Sequence, residues 1–307
     1  MIPVLDWSCF ISGKKRDEFA RHLGRACRET GFFLLSGHGV PRLLIDDTFA
    51  AAKRFFDLPE GEKMPLDIRT NSHNRGWTAY GSENLDDSRP DQVDRKEAFN
   101  IGLELAGDDP RMDQPFRGPN LWPDLPGFRE TALAYFDAVL RLGIDLHRAI
   151  ALDLGLKENH FTPFLDEPLA TLRLLHYPGG AGKTGGIGAG AHTDYGSITL
   201  LTSDGEPGLQ VMNRAGTWID VPTMPDTFVV NIADCLMRWT NDIYVSTPHR
   251  VLVPRNPRFS LAFFLDPNPD AVIEALPGTG NPRYPPVTSA EYLKMRLDAT
   301  YDAKITE

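Results

Sequence analysis

Near the amino terminus, apolar residues fall into two helical registers separated by a compact apolar run. Phe19, Leu23, Ala26 and Cys27 recur three and four apart and predict a helix over Lys15–Thr30, ended by Gly31. Phe32-Phe33-Leu34-Leu35 reads as a buried strand. Leu44, Phe49, Ala52 and Phe56 then mark the inner side of a second helix from Pro41 to Leu58. Ile2–Asp6 and Lys96–Gly102 are predicted as strands, and the polar stretch 66–92 as irregular. The longest helical pattern runs from Phe128 to Leu156, where Ala132, Tyr135, Val139, Leu142, Leu146, Ile150 and Leu154 form one face suited to bracing a sheet.

Beyond Leu169 the period shortens. Strands are predicted at Ala170–Tyr177, Ser197–Ser203, Gly208–Met212, Trp218–Val221, Phe228–Ile232, Val251–Val253 and Phe259–Leu265, followed by a closing helix at Ser289–Tyr301. No helices interleave with these strands. That pattern excludes a parallel βαβ sheet and favours a double-stranded β-helix, or jelly roll. The expected class is mainly β with flanking helices, in one domain over 1–307. Its parts are a helical and mixed portion at 1–125, the bracing helix at 126–168, a jelly-roll core at 169–266 and a carboxy-terminal extension with a helix at 267–307.

Composition narrows the partners. The chain has 307 residues, with 32 basic against 42 acidic residues and a formal net charge of −10. Such a balance carries no basic stripe for nucleic acid or anionic lipid. Cys9, Cys27 and Cys235 are scattered and odd in number, so no disulfide framework is expected. No apolar run reaches the length of a membrane span, and the amino terminus lacks a signal-peptide pattern. The expectation is a cytoplasmic protein acting on a small molecule, with neither nucleic acid nor membrane as partner. The oligomeric state is left open.

Candidate chemistry centres on His192-Thr193-Asp194 and a later His249. In an extended segment residues two apart project to one side, so His192 and Asp194 can reach a single ion. A jelly roll can bring His249 to the same place. Two imidazoles and one carboxylate on one face of an iron leave coordination positions open, as in non-haem Fe(II) oxygenases. An isolated His-x-Asp also fits a surface turn; the later histidine and glycine-rich approach favour the metal. Arg258 and Ser260 share one side of an apolar strand. The arginine suits either a structural ion pair or a bidentate clamp on a keto acid's distal carboxylate.

Several motifs together resemble one family. IPVLDW, GFFLLSGHGV, LHYPGG followed by GAHTDYGSITLL, WTNDIYVSTPHRV and PRFSLAFFLDPN are similar, in order and spacing, to the isopenicillin N synthase-like branch of the 2-oxoglutarate/Fe(II)-dependent dioxygenases. The resemblance covers nearly the whole chain. It implies Fe(II) on His192, Asp194 and His249, and 2-oxoglutarate on Arg258 and Ser260 with help from Tyr177. It also implies use of O2, with ascorbate as a supporting reductant. The implied reaction couples oxidative decarboxylation of 2-oxoglutarate to succinate and CO2 with hydroxylation, desaturation or ring closure of a small organic substrate. The alternatives are an iron oxidase that needs no keto acid and an inactive jelly-roll binding module. One departure is Leu175, where many plant members carry an asparagine.

Arg75, Tyr80, Phe99, Arg173 and Trp239 fall near the family's substrate loops and are the candidate substrate-side residues. Gly186–Gly190 lacks the strand-to-helix context of a dinucleotide fingerprint and is expected to form a flexible loop beside the pocket. His38 and His176 are expected in turn packing and at an outward strand position. Asp234 is either a brace near the site or a surface residue, and Cys235 a small buried hydrophobe.

Overall fold

The computed structural model describes residues 2–302 apart from 87, 90 and 181–185. Residues 303–307 of the expected extension, and Gly182 and Gly185 of the glycine-rich stretch, lie outside that set. In chain order the elements are β1 (Val4–Asp6), α1 (Ser8–Ile11), α2 (Arg16–Glu29), β2 (Phe32–Ser36), α3 (Arg42–Phe56), α4 (Glu60–Lys63), β3 (Gly76–Thr78) and β4 (Glu97–Gly102). Then follow α5 (Phe128–Asp153), β5 (Leu169–Tyr177), β6 (Ile187–His192), β7 (Ile198–Ser203), β8 (Leu209–Met212), β9 (Trp218–Asp220) and β10 (Phe228–Ile232). The chain continues through α6 (Asp234–Trp239), β11 (His249–Leu252), β12 (Arg258–Asp266), β13 (Val272–Ile273), β14 (Val287–Thr288) and α7 (Ser289–Asp302).

Two sheets face one another as a jelly roll that stays open at its edges. The larger has the order β1-β2-β10-β7-β12-β5-β4-β3, and the smaller β6-β11-β8-β9. Pairing is antiparallel throughout these two sheets except for β1 with β2. Strands from the amino-terminal portion belong to the same sheet as those of the core, since β2 pairs with β10 and β4 with β5.

The larger sheet is covered on both faces. On one face Leu172, Leu174, Leu200, Leu261, Phe263 and Leu265 pack with Leu23 of α2, Phe55 of α3, and Val139 and Leu146 of α5. The long helix lies close because residue 143 is glycine; a Cβ there would stand 2.8 Å from Leu265 Cδ2. On the other face Phe32, Leu34, Ala98, Leu175, Tyr177 and Ala262 meet Ala189, Leu209, Val211 and Val251 of the smaller sheet. Strands buried twice over need apolar residues at successive positions, which accounts for runs such as Phe32–Leu35.

Several expectations shift. Of Gly186–Gly190, all but Gly186 lie in β6 instead of forming a loop. The strand tolerates glycine there because its neighbours approach closely: a Cβ on Gly190 would lie 2.8 Å from the Asp86 backbone nitrogen. Residues 66–92 include the short strand β3, and α6 interrupts the predicted run of strands. In α3 the buried side is Ile45, Thr48, Ala51, Ala52, Phe55 and Phe56, so Leu44 and Phe49 are only half-buried.

Candidate functional site

His192 closes β6 and His249 opens β11, and the two are direct partners in the antiparallel ladder. Their rings lie 4.3 Å apart. Asp194, two residues beyond His192, places Oδ1 at 3.7 Å from His192 Nε2 and 3.6 Å from His249 Nε2. One ligand atom from each residue lies within 4.8 Å of the others, the dimension of a set sharing one ion. The three atoms are too far apart to hydrogen-bond with one another.

The remaining atoms of the triad are already occupied. His192 Nδ1 lies 2.7 Å from the Gly190 carbonyl, and His249 Nδ1 lies 3.2 Å from that of Thr247. A carbonyl only accepts, so both protons sit on Nδ1 and both Nε2 lone pairs face inward. Asp194 Oδ2 accepts from Thr199 Oγ1 at 2.5 Å and Asn231 Nδ2 at 2.7 Å, leaving Oδ1 for a cation. Burial and the neighbouring His249 push the His192 imidazole down to about 4, against the pull of Asp194, so it is neutral at ordinary pH. For Asp194, burial acts upward, but His249, His192 and the two donors outweigh it and hold the carboxyl below its usual range. Neutral nitrogen lone pairs and an ionised carboxylate are the forms that bind a metal.

Asp234 braces this loop. Its backbone N–H donates to the Asp194 carbonyl at 3.0 Å, and its Oδ2 accepts from Thr193, Tyr292 and Arg296. Helix α7 is thereby tied to the turn that carries Thr193 and Asp194.

On β12, Arg258 is 2 % exposed. Its Nε donates to the Glu206 carbonyl at 3.1 Å and its Nη1 to Ser260 Oγ at 3.2 Å. Its guanidinium carbon stands 5.2 Å from the centre of the Tyr177 ring, the residue paired with it across β5. Among the described residues no carboxylate lies within ion-pair distance of Arg258, so the structural ion pair is not what occupies it. Arg258 opens onto a hollow of about 510 Å³. That hollow shares Leu201, Leu209 and Val229 with a smaller cavity of about 150 Å³ bordered by His192, Asp194, His249 and Tyr177.

The substrate-side expectations fare unevenly. Arg173 borders the smaller cavity. Arg75, Tyr80, Phe99 and Trp239 do not, and the reasons are local. Arg75 spends its guanidinium on the carbonyls of His73, Asn74 and Phe116, and Tyr80 is 54 % exposed. Phe99 faces the helices, against Phe55 and Phe128. Trp239 packs on Phe161 and Phe164 and donates to the Val272 carbonyl. The cavity wall includes residues that sequence reasoning passed over: Asn74, Lys96, Asn100, Asp266, and Leu293 and Leu297 of α7. His38 accepts from the Val40 N–H and leans on Phe228, and His176 meets Glu97 and stacks on Phe259; neither approaches the triad.

Comparison with known proteins agrees with this geometry. A model described as the 2OG-Fe(II) oxygenase superfamily matches residues 168–267, and one described as the non-haem dioxygenase in morphine synthesis N-terminal matches residues 2–125. A 2-oxoglutarate-Fe(II) type oxidoreductase, hxnY, from Emericella nidulans is 37 % identical, covering 97 % of this chain and 90 % of its own. The chain belongs to the 2OG-Fe(II) oxygenase superfamily. A full-length Neurospora crassa protein crystallised with alpha-KG and thymine superposes with a TM-score of 0.87 at 36 % identity, over 97 % of this chain and 96 % of that one. A rice dioxygenase for auxin oxidation superposes at 0.77 with 29 % identity, over 97 % and 95 % of the two chains. The protein is an oxidoreductase, a dioxygenase that depends on Fe(II) and 2-oxoglutarate. Among the described residues no helix is long and apolar enough to cross a membrane.

Proposed function

We propose that His192, Asp194 and His249 hold the iron, and that Arg258 and Ser260, flanked by Tyr177, hold the distal carboxylate of 2-oxoglutarate. Arg258 carries this reading: a buried guanidinium without a carboxylate partner among the described residues is costly unless an anion joins it. Its planar fork suits a carboxylate, and Ser260 adds a hydroxyl beside it. The donor set fits Fe(II), since imidazole and carboxylate are its usual ligands and no thiolate is offered.

When bound, iron and 2-oxoglutarate together supply the oxidising chemistry, consuming O2 and releasing succinate and CO2 as the substrate is oxidised. The chain's own residues prepare the site for it. Gly190 and Thr247 fix the imidazole tautomers, and Thr199 and Asn231 immobilise the carboxylate. Leu175, Leu201, Val251 and Phe264 line the cavity with apolar surface that keeps water from the reacting groups. The primary substrate is a small organic molecule admitted to the cavity that the triad borders. The scattered, odd-numbered cysteines support a reducing, cytoplasmic setting, and the acidic net charge argues against a nucleic-acid partner.

The test is anaerobic titration of purified protein with Fe(II) and then 2-oxoglutarate, followed by succinate measurement under air with ascorbate. One iron and one 2-oxoglutarate per chain are expected. Iron binding without any 2-oxoglutarate binding would favour the keto-acid-independent oxidase, and no iron binding would favour the inactive module.

A further inference from the structure

Asn100 lies within β4, 1 % exposed, directly across from Arg173 of β5. It borders the same cavity as the triad. Asn74 sets the orientation of its amide: Nδ2 donates to the Asn74 carbonyl at 3.4 Å and to Asn74 Oδ1 at 3.3 Å. Turning the amide over would press its oxygen against two oxygens. Oδ1 is therefore the atom left over, and among the described residues it meets no hydrogen-bond donor. A buried amide oxygen in that condition calls for a donor from outside the chain.

The charges beside it cancel. Lys96 Nζ lies 2.9 Å from Glu83 and 2.6 Å from Asp94, and Arg173 Nη2 lies 2.6 Å from Glu83. Both cations are thus engaged by carboxylates, and Asp266 adds a further carboxyl to the cavity wall, so neither cation is left to hold an anion. Leu85, Leu175, Leu293 and Leu297 make the surrounding wall apolar.

Building on the dioxygenase reading of the site, we propose that Asn100 is a specificity-determining residue. Its Oδ1 accepts a hydrogen bond from a neutral N–H or O–H group of the primary substrate. The substrate class is thus an uncharged, largely apolar molecule with one such donor, and not a carboxylic acid.

The test uses matched probes on the iron- and 2-oxoglutarate-loaded protein: 2-pyridone against 1-methyl-2-pyridone, phenol against anisole, and benzoate as the anion. Calorimetry without O2 reads binding, and succinate release under air reads stimulation. On wild type the donor-bearing member of each pair is expected to bind about tenfold more tightly than its methylated partner, with benzoate the weakest. Asn100→Leu, similar in size but without the acceptor, should erase that preference while still binding 2-oxoglutarate, which shows that the variant is folded. Equal or better binding of the methylated probes or of benzoate overturns the proposal. So does a preference that survives in Asn100→Leu, which would mark it as steric. Titration with 2-oxoglutarate separates the two claims: its failure to bind wild type counts against the Arg258 assignment. Lost selectivity with that binding intact counts against Asn100 alone.

Discussion

Two ionic clusters border one cavity and are finished to different degrees. Glu83, Asp94, Lys96 and Arg173 form a buried set whose charges cancel within the chain. Burial opposes the ionised form of Glu83, but Arg173 and Lys96 outweigh it and hold the carboxyl well below its usual range. His192, Asp194 and His249 instead leave one carboxylate oxygen and two nitrogen lone pairs converging on a common point. A self-compensated cluster braces; a cluster with surplus negative charge and converging lone pairs recruits a cation. The two are also linked, because Asp94 accepts from the Gly190 N–H, and the Gly190 carbonyl orients His192.

Removing the recruiting carboxylate should have the largest consequence. Asp194→Ala is expected to abolish substrate-dependent succinate release and to lose the rise in melting temperature that Fe(II) confers on wild type. Chelation should therefore lower the wild-type melting temperature and leave the variant's unchanged. Retained turnover in the variant would remove Asp194 from the iron site.

The bracing cluster should respond in the opposite manner. Lys96→Met leaves Glu83 and Asp94 without their shared cation and is expected to cost about 3–5 kcal/mol of folding stability, with or without iron. Denaturant unfolding with and without Fe(II) reads this directly. A loss seen only in the metal-free protein would erase the distinction between the clusters.

Arg258→Lys keeps the charge and loses the fork. The concentration of 2-oxoglutarate needed for half-maximal succinate release should rise on the order of tenfold to a hundredfold, with iron affinity retained. Unchanged dependence would contradict the clamp. The smallest effect expected is that of Thr199→Val, which removes one of two hydrogen bonds to Asp194 Oδ2. Iron affinity measured by competition with a chelator should weaken about tenfold. No change would mean that Asn231 alone fixes the carboxylate.

The grouping of His192, Asp194 and His249 was legible in the sequence because its signal is chemical. Residue types and a spacing of two in extended backbone place His192 and Asp194 on one side. The cavity wall was not, and β4 shows why. Glu97–Gly102 is buried at every position, so hydropathy reveals that alternate residues share a face but not which face is which. Phe99, the more conspicuous residue, faces the helices, and Asn100 faces the cavity. The readable signal was a lone amide between the apolar Phe99 and Ile101. Arg75 and Trp239 misled in a similar way, since large residues with polar ends are as readily spent on backbone carbonyls as on ligands. Helix α7 contributes Leu293 and Leu297 from far along the chain, a placement no local pattern encodes.

The assignment of the three ligands and the arginine is tested most directly by diffraction from crystals grown anaerobically with Mn(II), as a redox-silent stand-in for Fe(II), and 2-oxoglutarate. A single anomalous peak bounded by His192 Nε2, His249 Nε2 and Asp194 Oδ1, with the keto acid's far carboxylate on Arg258 and Ser260, is the result expected. A metal bound away from those atoms, or 2-oxoglutarate seated without contact to Arg258, would contradict it.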